Sequence, residues 1–424
     1  MKILMFLLVI IFSYNNYYLM MFIFILMFIK VFFFFKFSLY YLSLSFFFFF
    51  DKLNLLLFML LILILIFILY FTVTGLLLMG LFFYFSFIII YLILFIKSVF
   101  LMFLFYEFIF FPLFYFMNLF SYNYERLNSS YYLMIYLLMF SYPFVYLMMK
   151  FNYLCFFYLL DLNMDNLSSF FFFLVFLSKM SFFFFHYWLI KVHVEVSVDL
   201  SIYFSSILMK LGLFGVSRLI IFFNFMSLFF MYMSFFGLFI ISFCNFVNSD
   251  LKIFIAFSSI IYMNLSLVFL FTFNYFSMTG FIMINFFHSF SSMIYFMSFG
   301  MFNFLSKSRL LISNSGVFIV CKNLFFFFFV LMYLNMFSPF TLGFMGELIM
   351  FTLFFYFLKL FFFVFIVLFV INLIYNILYI LNIGFNTFYF YLYIDMKLTS
   401  YMLMIFVFFI NVILFLKIEL FFFY

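Results

Sequence analysis

The chain has 424 residues, of which 73% are hydrophobic and only 7% are charged, and its mean hydropathy is +1.46. A soluble domain carries about 25% charged residues, so this composition excludes an ordinary water-soluble fold. The net charge of +7 lies mostly at the ends of apolar stretches, where lysine flanks membrane spans, and it does not indicate a nucleic-acid-binding patch.

Long, continuous apolar stretches predict membrane-spanning helices. A span needs about 20 apolar residues, whereas a transmembrane β-barrel would alternate apolar and polar positions. The sequence therefore predicts an all-α, polytopic transmembrane bundle of about fourteen helices, some of them broken. No linker or shift in composition divides the chain, so residues 1–424 are predicted to form a single membrane domain.

Sparse polar clusters predict the ends of these helices. One cluster ends on Asp250, which is predicted to cap the helix that follows it. In chain order the clusters are Lys30, Asp51–Asn54, Thr74–Gly75, Asn123–Asn128, Lys150–Ser169, Asn248–Asp250, Lys307–Arg309 and Asp395–Lys397.

The amino-acid usage indicates where the chain is made. It contains 100 Phe and 34 Tyr but only 3 Pro and one Trp, a pattern typical of an extremely AT-rich gene such as those of organelle genomes. Phenylalanine is therefore interpreted mostly as lipid-facing filler. No cleavable targeting segment is evident after the apolar start, which favours synthesis inside the organelle. Cys155, Cys244 and Cys321 are scattered and are predicted to be buried free thiols.

Ionisable residues inside the predicted spans are the most informative feature. A charge at the bilayer centre costs about 2.5–3.5 kcal/mol on insertion scales, so such residues are paired, hydrated or functional. A single one is readily explained as a structural ion pair or as a lysine that reaches the interface. Five on separate spans favour a proton path instead. They are Glu107, Lys179, Lys210, His288 and Glu347.

The neighbours of the first two residues predict local structure. Pro112 follows Glu107 and predicts a loosened helical turn that can hold water near the carboxylate. His186 comes seven residues after Lys179 and is predicted to lie close to the same face of a helix.

Glycine and proline accompany two of the other residues. Two glycines after Lys210 allow close helix approach or local unwinding. Pro339 and two glycines before Glu347 predict a broken helix, which is where transporters place ion sites. The glycines are Gly212 and Gly215 in the first case and Gly343 and Gly346 in the second.

The segment from His186 to Glu195 concentrates two histidines, a lysine and a glutamate. A metal site is disfavoured because the histidines stand seven residues apart across a predicted helix end and lack a nearby third ligand set. We interpret the segment as an interfacial connection between two spans, anchored by Trp188 at headgroup depth. No Gly-rich phosphate loop, cysteine cluster or nucleophile motif occurs, so the chain is predicted to bind neither nucleotide nor iron–sulfur cluster.

This segment, HYWLIKVHVEVS, also resembles a motif of a known family. The family is subunit 4 of respiratory NADH:ubiquinone oxidoreductase (complex I), one of its antiporter-like membrane subunits, and its pattern is H-x-W-L-P-K-A-H-x-E-A-P. Other segments resemble the family in the same order between about residues 100 and 360, the predicted proton-channel core. They are FYEFIFFP, YERLNSSYYLMIYLLMFSYP, ILMKLGLFG, SDLKIFIAFSSIIYMNL, NFFHSFSSMIYF and NMFSPFTLGFMGEL.

The resemblance implies a role for each ionisable group. Glu107 and Lys179 would form the acid–base pair at the mouth of the channel, and Lys210 would be the central relay lysine. His288 would belong to a hydrated polar axis, and Glu347 would be the terminal proton-handling residue. Sister antiporter-like subunits usually carry lysine at that last position. Secondary relay or interface roles fall to His186, Lys191, His193, Glu195 and Tyr262.

Four positions depart from the family pattern. Ser181, Ile190 and Ser197 stand where the family has proline, and Ser181 weakens the prediction of a helix break just beyond Lys179. Tyr262 stands where the family has histidine. A phenol, whose reference pKa is about 10, can pass a proton by hydroxyl hopping but does not readily hold one at neutral pH.

The resemblance implies a proton-translocating membrane-arm subunit of complex I in the mitochondrial inner membrane. Such a subunit binds no cofactor, because NADH, FMN, the iron–sulfur clusters and ubiquinone belong to other subunits. Its expected partners are the other membrane-arm subunits, including sister antiporter-like subunits, and membrane lipids, with no nucleic acid. A subunit of a multisubunit cation/proton antiporter and a purely structural membrane scaffold are the alternatives.

Overall fold

The structure is a computed structural model, and it describes residues 26, 52–71, 77–121, 125–150, 166–220, 227–272, 274–316, 322–336, 338, 339, 341–357, 359–385 and 410–421. The helix ends predicted at Lys30, Thr74–Gly75 and Asp395–Lys397 lie outside these ranges, as do residues 151–165 of the predicted loop after Lys150.

Nearly all of the described chain is helical. The first five helices are α1 (Lys52–Phe71), α2 (Leu77–Phe95), α3 (Val99–Phe120), α4 (Arg126–Lys150) and α5 (Asn166–Lys179). They are followed by α6 (Tyr187–Glu195), α7 (Val198–Tyr203), a π-turn (Phe204–Leu208), α8 (Met209–Leu219), α9 (Ser227–Val247), α10 (Leu251–Phe271), α11 (Tyr275–Ser306), α12 (Lys322–Asn335), α13 (Leu342–Phe357) and α14 (Lys359–Phe385).

These elements confirm the predicted all-α bundle of about fourteen helices. A helix satisfies every backbone donor and acceptor within its own segment, which the interior of a bilayer demands. Seven helical stretches in the described ranges are long and apolar enough to cross a membrane. They are Val99–Phe120, Arg126–Lys150, Val198–Leu219, Leu228–Val247, Leu251–Phe271, Phe276–Phe304 and Phe362–Phe385.

The described residues group into two compact units. One comprises the described parts of residues 1–121 and 137–175, and the other those of 122–136 and 176–424. The single domain over residues 1–424 stays a prediction.

Aromatic packing holds the first unit together. Phe58 of α1 is fully buried and contacts the rings of Phe87, Tyr91 and Phe95 of α2, at centroid distances of 5.7, 5.5 and 5.4 Å. Edge-to-face and offset ring pairs of this kind add about 0.5–1.5 kcal/mol each beyond area burial. The interpretation of phenylalanine as mostly lipid-facing filler is therefore wrong for this layer, because the rings interlock between helices.

The second unit is built around α11, which is 32 residues long and packs against α10, α12 and α13. The apolar windows of Val198–Leu219 and Phe276–Phe304 are wholly buried within the chain. These two stretches carry the polar groups described below.

Two local predictions need correction. Asp250 does occupy the N-cap position of α10, but its side chain makes no capping hydrogen bond, because its backbone pairs with Leu310 in an isolated antiparallel bridge. Cys244 is a free thiol as predicted, but it is exposed rather than buried, since it lies on the outer face of α9. Cys155 and Cys321 lie outside the described residues.

Candidate functional site

The centre of the site is a lysine–histidine pair inside the second unit. Lys210 of α8 and His288 of α11 are each 2% exposed. The Nζ atom of Lys210 lies 3.0 Å from Nδ1 of His288 and also donates a hydrogen bond of 2.5 Å to the carbonyl oxygen of Ser205. Ser205 belongs to the π-turn, a widened helical turn that is frequent at functional sites. The sequence placed Lys210 and His288 on one polar path, and the structure brings them into contact.

Tyr262 joins this pair from α10. Its ring stacks on the imidazole of His288, with the centroids 5.1 Å apart and the planes inclined by 23°. Its hydroxyl donates to the carbonyl oxygen of Asn335, at the end of α12, over 3.3 Å. Tyr295 of α11 donates from its hydroxyl to the carbonyl oxygen of Leu331, one turn earlier in α12, over 3.0 Å. The two tyrosines therefore link the central pair to the end of α12.

His193 is also buried. It is fully shielded from solvent, and its imidazole stacks on the ring of Phe296 at 5.1 Å. Among the described residues, no hydrogen-bond partner contacts either ring nitrogen of His193. The same is true of the Nε2 atom of His288. Three imidazole nitrogens that can each accept or donate a proton thus lie in the interior of the second unit.

The helix that carries Lys179 ends there. α5 stops at Lys179, which is 3% exposed, a 3₁₀ turn covers Phe183–Phe185, and α6 begins at Tyr187. His186 therefore does not share a helix face with Lys179, since the chain leaves the helix between them. The doubt that Ser181 raised about a break is also overturned, because the break forms without proline.

Trp188 is buried within the protein, and its position at headgroup depth stays a prediction. It is 4% exposed, and its indole nitrogen Nε1 donates to the carbonyl oxygen of Ser178 over 3.0 Å. This bond satisfies a carbonyl at the end of α5 and fixes the start of α6 against it. The segment from Tyr187 to Glu195 forms a short helix that buries Trp188 and His193 and exposes Tyr187 and Lys191. Its interpretation as an interfacial connection stays a prediction.

Glu347 sits beyond the second predicted break, in α13. It is 3% exposed, and its Oε2 atom has no hydrogen-bond partner among the described residues. A cavity of about 10 Å³ lies beside it, lined also by Ile261, Leu265 and Asn372. That volume is close to the minimum that holds one water molecule. Apart from Asn372, the side chains that line the cavity with Glu347 are apolar.

The break before Glu347 is confirmed at Pro339, since α12 ends at Asn335 and α13 begins at Leu342. The two glycines have a different role from the one predicted. A Cβ atom on Gly343 would lie 2.9 Å from the ring of Phe287, and one on Gly346 would lie 2.5 Å from Ile284. They lie inside α13 and allow it to approach α11, rather than breaking the helix.

Close approach also explains Gly215, where a Cβ atom would overlap the ring of Phe176. The prediction of a close helix approach after Lys210 is confirmed at this position.

The remaining predicted residues lie in other surroundings. Lys191 is exposed and its ammonium lies 3.6 Å from the centroid of the Tyr132 ring. Together with Glu125 and Glu195 it lines an open cavity of about 540 Å³. Glu107 is half-buried in α3, in the first unit, and its pairing with Lys179 stays a prediction.

Two cations were missed as parts of the interior. Lys252, which is 4% exposed, donates from Nζ to the carbonyl oxygens of Val194 and Val196 over 2.9 and 2.5 Å. Arg309 donates from Nη1 to the carbonyl oxygen of Val194 over 3.0 Å. A lysine two residues after a predicted helix start was taken for a flanking charge. The signal that could have found it is its place directly before the apolar run Ile253–Phe257.

The part of the chain that the structure describes contains no group of three His, Cys, Asp or Glu side chains that could hold a metal ion. The absence of a cofactor from this chain stays a prediction.

Comparisons with known proteins identify the family of the chain. A family model described as NADH:quinone oxidoreductase/Mrp antiporter, transmembrane, matches residues 96–374. NADH-ubiquinone oxidoreductase chain 4 of Locusta migratoria is 34% identical over 236 residues, which cover 54% of this chain and 53% of that relative. The chain spans about half to three fifths of the length of the first curated relatives it matches.

Solved structures share the fold. A chain of respiratory complex I from Thermus thermophilus with bound NADH superposes with a TM-score of 0.84 and 14% identity, over 96% of this chain and 94% of that one. A chain of the Mrp complex from Dietzia sp. DQ12-45-1b gives a TM-score of 0.70 and 15% identity, over 82% and 67%. With the family model covering well over half of its residues, the chain belongs to the NADH:quinone oxidoreductase/Mrp antiporter transmembrane family.

Proposed function

We propose that this chain is a proton-translocating membrane-arm subunit of complex I in the mitochondrial inner membrane. The observation that carries the proposal is the buried hydrogen bond between Lys210 and His288. Two basic groups in contact inside an apolar bundle cannot both hold a proton cheaply, because burying an uncompensated charge is costly. A shared proton that moves between them is the arrangement that such a pair supports.

The contact between Lys210 and His288 defines one proton-transfer step. The ammonium of Lys210 donates to Nδ1 of a neutral His288 imidazole. Passing the proton leaves a neutral amine on Nζ and an imidazolium on His288, whose Nε2–H then becomes the next donor. The carbonyl of Ser205 stabilises the ammonium before the step, so the two charge states differ in their hydrogen bonding. The step needs no redox centre in this chain.

The energy must come from partners. Moving one charge across a membrane potential of about 180 mV costs roughly 4 kcal/mol. NADH oxidation and ubiquinone reduction, assigned to other subunits of the complex, would supply that energy through the neighbouring membrane-arm subunits. The apolar outer faces of the helices fit lipid and such subunits.

The test is Lys210→Met in membranes that contain the assembled complex. Methionine keeps the length of the side chain and removes the proton-carrying nitrogen. Proton pumping linked to NADH:ubiquinone turnover is expected to fall by more than about tenfold, the factor that corresponds to a 1.4 kcal/mol change in barrier. The matched control is Lys322→Met, at an exposed lysine, which is expected to pump normally. Normal pumping by Lys210→Met at normal assembly would support a structural scaffold instead.

A second candidate is a subunit of a multisubunit cation/proton antiporter, because the same family description includes Mrp antiporters. It predicts sodium-dependent proton exchange in the absence of NADH and no association with a large NADH-oxidising assembly. Copurification with such an assembly therefore separates the two functions.

A further inference from the structure

The short helix α6 ends in two carbonyl groups that are satisfied by side chains from elsewhere. Nζ of Lys252 contacts the carbonyl oxygens of both Val194 and Val196, and Nη1 of Arg309 contacts that of Val194. The last carbonyls of any helix lack partners within the helix. Here two cations from other parts of the chain supply them.

The two cations belong to one junction. Leu251, at the start of α10, donates from its backbone nitrogen to the carbonyl oxygen of Arg309 over 3.1 Å, and Leu311 donates back to Ser249 over 2.9 Å. This bridge ties the segment after α11 to the start of α10. Lys252 and Arg309 are therefore held as a pair, and the pair faces the end of α6.

The electrostatics of the contact are favourable. The C-terminus of a helix carries roughly half a negative charge, which attracts cations placed within its last turn. Glu195, the last residue of α6, adds a full negative charge, and its Oε1 atom lies 3.7 Å from Nη1 of Arg309. Two carbonyl dipoles, the helix end and a nearby carboxylate thus support the buried ammonium of Lys252 against its burial and the like charge of Arg309.

The helix depends on such contacts. α6 has nine residues, and isolated helices shorter than about 12–15 residues are marginal even in good sequences. Its start is fixed by the bond from Trp188 to Ser178, and its end by the two cations. Its buried imidazole, on His193, is located only by ring stacking and by the position of the helix.

From this geometry we infer that Lys252 is a positioning residue, which with Arg309 fixes the end of α6 and thereby holds His193 in the buried polar interior. The inference rests on the proposed function, since it gives His193 a place beside the Lys210–His288 pair in proton transfer. Lys252 acts through α6 as a fixed charged donor, and it does not itself give up a proton during turnover.

The test compares Lys252→Arg with Lys252→Met in the assembled complex. Arginine is a charged donor that does not deprotonate in proteins, so it can position α6 but cannot relay a proton. Two quantities are measured: hydrogen exchange of the backbone amides of residues 187–197, and proton pumping per NADH oxidised. Lys322→Met is the control for loss of an exposed lysine.

Lys252→Met is expected to speed exchange in residues 187–197 by about tenfold or more, since it removes hydrogen bonds to a charged donor, and to lower pumping with it. Lys252→Arg is expected to keep both quantities within about threefold of the unaltered chain, a difference of under 1 kcal/mol. Lys252→Met with normal exchange would overturn the inference. So would Lys252→Arg with normal exchange but no pumping, because Lys252 would then be relaying the proton.

If arginine does not fit the buried site and the variant fails to assemble, Lys252→Gln takes its place. Its amide donates two N–H groups but carries no titratable proton. If Lys252→Gln keeps the amides of residues 187–197 protected and pumps partially, the positioning role is supported. If it keeps those amides protected but does not pump, the positioning role is overturned. Hydrogen exchange is measured independently of pumping. A failure of the proposed function, seen with Lys210→Met, is therefore distinguishable from a failure of the positioning role of Lys252.

Discussion

The two helix breaks of the second unit are held in different ways. At the first break, between α5 and α6, the indole of Trp188 donates to the end of α5, and the far end of α6 is held by two cations, Lys252 and Arg309. At the second break, between α12 and α13, the donors are neutral hydroxyls. Tyr262 and Tyr295 donate to carbonyl oxygens at the end of α12. The Thr341 hydroxyl donates to the carbonyl oxygen of Ser338 and accepts from the backbone nitrogen of Phe344 at the start of α13.

The difference follows the charge of the residue that each break carries. Lys179 ends α5 at the first break, and His193 lies in the last turn of α6, where the charged donors Lys252 and Arg309 bind carbonyl oxygens. Beyond the second break lies a lone carboxyl group, Glu347, without a cation among the described residues that contact it. Hydrogen bonds to charged groups contribute about 1.5–3 kcal/mol, and neutral ones about 0.5–1.5 kcal/mol. The helix α6, which begins at the first break and ends on two charged donors, is therefore expected to be more sensitive to substitution than the second break.

The largest expected effect is on Glu107 and Lys179, the acid–base pair that the family resemblance assigns to the entry of the channel; Lys179 ends α5 at the first break. Glu107→Gln keeps the shape of the side chain and removes its charge, so Lys179 would lose its partner. Moving a proton against a membrane potential of about 180 mV needs roughly 4 kcal/mol. Opening a surface ion pair yields at most about 1 kcal/mol, so a surface pair could not supply that energy. We expect Glu107→Gln to lower quinone-linked proton pumping by more than about tenfold.

The matched control for that experiment is Glu125→Gln, at an exposed glutamate just before α4. Both variants are compared at equal assembly levels. Equal effects from the two substitutions, or full activity of Glu107→Gln, would leave Glu107 with a structural role only.

A smaller effect is expected on stability at Trp188. Trp188→Ala removes a large buried side chain and should destabilise the chain by about 3–5 kcal/mol. Trp188→Phe keeps most of the ring and loses the bond to Ser178, at a cost of about 1 kcal/mol. At the second break, Thr341→Ala removes the hydroxyl that caps α13 and should cost about 1 kcal/mol. The measurement is the temperature at which the detergent-solubilised complex loses the chain.

Equal shifts for Trp188→Ala and Thr341→Ala would show that the two breaks are held equally firmly, contrary to the comparison above. A shift for Trp188→Phe as large as that for Trp188→Ala would place the stabilisation in the hydrogen bond rather than in packing.

The sequence predicted the second break and left the first in doubt, for a physical reason. Pro339 lacks a backbone donor and disfavours helix at the residue before it, so the second break is encoded locally. At the first break Ser181 and Ile190 replace proline, and no local signal stops α5. The break there depends on tertiary contacts, such as the bond from Trp188 to Ser178, which a sequence does not reveal.

The sequence predicted which ionisable residues are buried better than it predicted which residues contact them. Lys210, His288 and Glu347 were singled out because charges inside apolar stretches are expensive, and all three are at most 3% exposed. Lys252 escaped notice because a lysine near a helix start ordinarily reaches water. Only the fold shows that it faces the end of α6. The roles of all these residues in proton transfer stay predictions.

The smallest expected effect concerns Tyr262, where the family has histidine. The experiment distinguishes a structural hydrogen bond to the end of α12 from a step in proton transfer. The hydroxyl of Tyr262 donates to the backbone carbonyl of Asn335, which is a poor proton acceptor, and its ring stacks on His288. Tyr262→Phe keeps the ring and loses one neutral hydrogen bond, so we expect about 0.5–1.5 kcal/mol of lost stability and pumping within about threefold of the unaltered chain. Tyr262→His, which provides a titratable imidazole at the same position, is the matched comparison. Pumping is measured for both in assembled complex. If Tyr262→Phe lost pumping more than about tenfold while Tyr262→His retained it, the hydroxyl would be part of the proton path and the second break would carry a relay of its own.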